Sequence, residues 1–90
     1  LDVHHQFEFM EQVRSLVDAG KTVFGAMHDL EMAARFADQL FVMHGGKMVR
    51  HGAPDQVLTA DLLAGVFRME ATVAGSGNTP MRIAYTRSLP

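Results

Sequence analysis

The stretch Thr22-Val23-Phe24-Gly25-Ala26-Met27-His28-Asp29-Leu30 decides the fold. Residues 22–27 are uncharged and mostly apolar on both alternating faces, the pattern of a buried parallel strand covered by helices on two sides. The run breaks at His28-Asp29, and a helical pattern follows. A titratable ring thus stands at the carboxyl end of an expected buried strand, where open α/β sheets gather their ligand chemistry.

Upstream, Val3, Phe7, Met10, Val13 and Val17 recur at three- and four-residue steps, which predicts an amphipathic helix over Val3–Ala19, stopped by Gly20. Arg14 falls inside that apolar stripe by angle, so it must snorkel or find a carboxylate. Downstream, Asp29 can cap a shorter helix, Glu31 to Asp38, whose small face is Leu30, Ala33, Ala34 and Ala37. Leu40 to His44 and Lys47 to His51 flank Gly45-Gly46, a pair able to take the positive φ angles of a two-residue hairpin turn. Counting back from that turn pairs His44 with Lys47, Met43 with Met48 and His51 with Leu40. Pro54 starts a helical turn through Leu58, and Thr59 can cap a helix from Ala60 to Phe67. Ala71 to Ala74 and Met81 to Thr86 read as two more strands, joined by Gly75-Ser76-Gly77-Asn78-Thr79-Pro80.

Ninety residues make at most one small domain. A 48% apolar and 20% charged composition is that of a globular chain. The formal net charge of -2 offers no basic footprint for nucleic acid. Without cysteine there is no disulfide, thiolate metal site or cysteine nucleophile. The longest apolar runs are about six residues against the ~20 that span a bilayer, and no signal-peptide pattern opens the chain.

The ordered series Leu1-Asp2 before a helix, Met27-His28-Asp29-Leu30 ending a strand, the helix Glu31 to Asp38, the Gly-Gly hairpin and Gly52-Ala53-Pro54-Asp55-Gln56-Val57-Leu58-Thr59 resembles the last third of the ATP-binding subunit of ABC transporters. Leu1-Asp2-Val3-His4-His5-Gln6, the alanine-rich helix after His28 and Leu62-Leu63-Ala64-Gly65-Val66-Phe67 are most similar to importers of iron chelates, haem and cobalamin. The resemblance implies an α/β fold, part of a P-loop NTPase: the carboxyl-terminal portion of a nucleotide-binding domain over 1–90. Residues 1–68 carry the resemblance, and 69–90 form a subfamily-like tail.

The same resemblance implies roles for few positions. His28 matches the switch histidine that touches the γ-phosphate and the attacking-water region of ATP, a catalytic and nucleotide-binding role. Asp2 matches the aspartate of the loop that crosses the dimer interface and couples two nucleotide sites. In the complete subunit it implies ATP and magnesium as cofactors, a second ATP-binding subunit and transmembrane permease subunits as partners, and a peripheral place on the inner face of the cytoplasmic membrane. The chain opens without an initiator methionine, and it holds no Gly-x-x-x-x-Gly-Lys-Ser/Thr loop, no Ser-Gly-Gly signature and no Asp-Glu pair before Leu1. It is therefore expected to be a piece that alone neither binds nor hydrolyses ATP and that associates into oligomers.

The chemistry suits an imidazole: γ-phosphoryl transfer needs positioning and charge stabilisation, and a histidine can donate one N–H to a phosphate oxygen while its other nitrogen fixes the tautomer. The remaining histidines form no metal site on spacing. His44 and His51 would share a hairpin face about 13 Å apart, and His4-His5 diverge by about 100° on a helix. The seven methionines read as core filler, and Asp55, Asp61 and Glu70 as acids at helix starts or turns. Two other readings compete: a stand-alone α/β protein-interaction module without nucleotide chemistry, and a hydrolase built on His28 with Asp29, which no serine or cysteine elbow accompanies.

Overall fold

The computed structural model describes residues 2–75 and 78–90. Leu1 of the Leu1-Asp2-Val3 opening and Ser76-Gly77 of the Gly75–Pro80 connection lie outside the described residues. Eight elements follow one another: α1 (Val3–Asp18), α2 (Leu30–Phe36), β1 (Leu40–His44), β2 (Lys47–Gly52), α3 (Pro54–Val57), α4 (Ala60–Gly65), β3 (Met69–Ala74) and β4 (Arg82–Ser88). The strands form two separate two-stranded antiparallel sheets, β1-β2 and β3-β4.

Local chemistry explains most boundaries. Asp2 caps α1 by accepting the His5 N–H at 2.9 Å. At the other end Gly20, at φ 96, donates to Val17 O at 2.9 Å, and Lys21 donates to Leu16 O at 3.0 Å. That pair of bonds is a Schellman closure, which needs the left-handed conformation glycine adopts without strain. Thr59 Oγ1 accepts the Leu62 N–H at 3.2 Å and starts α4. Pro54 opens α3, where its missing N–H costs nothing.

The expected strand over Thr22–Met27 is not formed. Residues 21–29 carry no regular structure and are exposed throughout, with Phe24 at 83%. A strand exists only through a ladder partner, and the described strands pair only with each other inside the two hairpins, none of them along residues 21–29. The expected buried parallel strand is therefore replaced by an open segment whose Phe24 ring lies 6.4 Å from that of Phe41 on β1.

In β1-β2, Gly45 and Gly46 take φ 58 and 76, and His44 faces Lys47 as the turn requires. Met43 faces Met48, but a register shift between Val42 and Met43 then moves His51 opposite Phe41 instead of Leu40, which faces Gly52. The His51 and Phe41 rings stack at 5.8 Å. This is the effect of a bulge, which inserts one unpaired residue and offsets everything beyond it. Glu70 also departs from expectation: it lies in β3, not at a helix start or turn, and pairs with Arg87 at 3.4 Å.

The core is small. Val42, Val57, Leu58 and Leu62 form it, with Leu30, Ala34, Leu40, Val66 and Met81 packed around. The most deeply buried side chains, Leu58, Leu63 and Val57, all come from α3, α4 and the link between them. Burial of each stabilises the fold by roughly 1.5–3 kcal/mol. α1 contributes no buried residue. It meets α2 through Phe7, whose ring lies edge-on to Phe36 at 5.6 Å and beneath the Arg35 guanidinium at 5.2 Å.

Candidate functional site

His28 occupies the last position before the cap of α2, in the exposed segment 21–29. The next residue fixes where the helix begins. Asp29 has extended backbone (φ -86, ψ 106), and its Oδ1 accepts the Met32 N–H at 3.1 Å. The helix is then seated by Met32 and Ala33, both buried, and by Leu30 and Ala34 against the core cluster. Alanines at these positions let α2 approach closely, while Glu31 and Arg35 remain exposed.

With its carboxylate engaged at the cap, Asp29 is not the orienting partner of the His28 ring. Among the described residues the imidazole has no hydrogen bond or ion pair. A neutral imidazole so placed offers one N–H donor and one acceptor to an approaching ligand, and the hydrolase reading on His28 with Asp29 finds no support in this geometry.

Asp2, the second residue singled out, lies at the start of α1. Besides capping the helix, its Oδ1 lies 3.0 Å from His5 Nδ1. No hydrogen bond or ion pair joins Asp2, at the cap of α1, to His28 in the open segment 21–29, and both are exposed. His4 pairs with Glu8 at 3.4 Å and meets the His5 ring edge-on at 5.5 Å. No three acidic or histidine side chains converge on a metal position among the described residues.

Two side chains tie α2 to the rest of the molecule. Arg14 resolves its place on the apolar stripe by finding carboxylates: its Nε lies 3.3 Å from Asp18 Oδ1 and its Nη1 3.0 Å from Asp38 Oδ1. The bond to Asp38 holds the guanidinium still further above its ordinary pKa. Nη1 also donates to Phe36 O at 3.5 Å, closing the carboxyl end of α2. At the amino end, Glu31 Oε2 accepts the backbone N–H of Ile83 in β4 at 2.6 Å. Tyr85, two residues on, has its phenol pKa raised by partial burial and by the negative charges of Glu31 and Asp29. Sequence reading missed Glu31 and Tyr85. Their partners lie in distant elements, and only Arg14 carried a local signal, a charge on an apolar stripe.

No family model matches the chain. Curated relatives do. Over 74 residues it is 42% identical to the hemin import ATP-binding protein of Rhodopseudomonas palustris (strain BisB5), covering 82% of this chain and 28% of that protein. The protein of the same description from Pseudoalteromonas translucida is 35% identical over 90% of this chain and 31% of its own length. That from Mesorhizobium japonicum is 38% identical over 89% and 31%. The chain thus spans less than a third of the length of these relatives.

Proposed function

Because this chain belongs to the ATP-binding subunits of ABC transporters, we propose that it forms part of the subunit that binds and hydrolyses ATP to power an importer, with hemin or a related iron chelate as the cargo. His28 is the residue through which this portion acts on the nucleotide. The observation that carries the reading is the state of that ring: exposed, unpartnered among the described residues, and set directly before a helix whose cap leaves it free.

In the complete subunit His28 donates an N–H to a γ-phosphate oxygen and helps to hold the attacking water. Phosphoryl transfer asks the protein mainly for such positioning and charge stabilisation. Asp2 lies in the loop that meets a second ATP-binding subunit, and its exposed carboxylate suits a contact across that interface. The phosphate loop, the magnesium ligands and the water-activating carboxylate come from outside these ninety residues. Transmembrane permease subunits complete the assembly on the inner face of the cytoplasmic membrane. No described helix is itself long and apolar enough to cross a membrane.

The test is His28→Ala in the complete subunit. ATP binding should persist while turnover falls by about 10²-fold, the usual effect of losing one positioned donor. A mutant that turns over ATP at the parent rate while still binding it would remove His28 from the reaction. The ninety-residue chain alone, titrated with Mg-ATP in a calorimeter, should give no heat of binding.

A further inference from the structure

The turn that carries His28 is held from one side only. Before it, residues 21–27 join no ladder among the described residues. After it comes α2, whose first turn contains Glu31, three residues from His28. Glu31 Oε2 accepts the Ile83 N–H at 2.6 Å across 52 positions of sequence. A carboxylate accepting a backbone N–H at that distance is a charge-assisted bond, among the stronger kinds.

Its partner is well anchored. Ile83 is 8% exposed and sits opposite Val73 in the β3-β4 ladder, so its N–H is presented by a paired strand and not by a loop. The other tie on α2, from Arg14 to Phe36 O and Asp38, acts at the far end of the helix. The Glu31 bond is therefore the long-range hydrogen bond nearest His28 among the described residues.

We propose that Glu31 is a positioning residue for His28: its bond to Ile83 pins the first turn of α2 to β4 and so sets where the imidazole stands. This rests on the reading of His28 as the γ-phosphate donor. The requirement is geometric. A ring that must meet one phosphate oxygen gains from a fixed base, and a shift of about 1 Å can cost up to ~10²-fold in rate. The carboxyl-terminal hairpin thereby becomes part of the support of the site, though it touches no nucleotide.

A first-turn carboxylate also gains from the helix dipole, so the charge and the bond must be separated. Glu31→Ala removes both and keeps a strong helix former in place, so α2 should persist. Glu31→Gln keeps an acceptor oxygen and removes the charge. In the complete subunit Glu31→Ala should lower kcat about tenfold with the KM for ATP little changed, and Glu31→Gln should recover most of that loss. Amide exchange at Ile83 should quicken in Glu31→Ala and stay slow in Glu31→Gln. Parent-like kcat in Glu31→Ala with a fast-exchanging Ile83 would overturn the proposal, as would an equal loss in both variants. His28→Ala runs alongside: if it too keeps the parent rate, the role of His28 has failed, and the exchange data still decide whether the tie exists.

Discussion

Tyr85 is the single tyrosine of a chain without tryptophan, so its phenol can be followed by absorbance with no other ring interfering. Partial burial raises its pKa first, and the charges of Glu31 and Asp29 add to that. The ring is nonetheless 50% exposed, and solvent screens much of the effect. The expected outcome is ionisation above the ordinary value of about 10, moving back toward it when Glu31 is replaced by alanine. The sign for stability follows from which state loses its proton first. The unfolded phenol ionises near its ordinary value and the folded one later, so this group's contribution is fully present below about pH 10 and is lost as the pH rises through the folded pKa. A phenol that titrates at the unfolded value in the native protein would mean that neither carboxylate nor burial acts on it.

At the scale of elements, the β1-β2 turn can be tested without disturbing any packing. Nothing lies within 4 Å of where a Cβ would stand on Gly46, so Gly46→Ala meets no clash and feels only the cost of a left-handed conformation, φ 76. That cost is about 1–2 kcal/mol, and Gly46→Asn should lose less because asparagine tolerates this region. Urea unfolding checks both. A Gly46→Ala protein as stable as the parent would show that the hairpin bends at a different pair.

The hairpin also marks how far sequence reading extends. Gly45-Gly46 fixed the pairs nearest the turn, His44 with Lys47 and Met43 with Met48, because those depend on local geometry alone. The shift beyond Val42 is invisible from the turn outward, since a bulge follows from how the strand is packed. Capping was legible at Asp29 and Thr59 for the same local reason. The Thr22–Met27 run was misread because its apolar pattern specifies burial but says nothing about whether a partner strand is present. Of the proposed site, His28 and Asp2 were singled out through motif order, while Glu31 was not: its partner Ile83 sits in a strand whose contact no local pattern encodes.

Taken whole, the molecule buries less than its composition allows. Its Cα radius of gyration is 13.7 Å, against about 12 Å for a compact chain of this length. Phe24, Phe41, Met43 and Met48 are each about half exposed or more, and the first two rings lie side by side. Segment 22–27 adds backbone N–H and C=O groups that join no ladder next to that apolar surface, the combination that invites pairing with another chain. The isolated chain should therefore associate at micromolar concentration, giving a dimer or larger species by light scattering. Replacing Phe24 and Phe41 by serine should shift that distribution toward monomer, since the core made by Val42, Val57, Leu58 and Leu62 uses neither ring. A monodisperse parent monomer that melts cooperatively would show that these residues close their own core. That result would favour a self-sufficient interaction module over a part built to be completed by the remainder of an ATP-binding subunit.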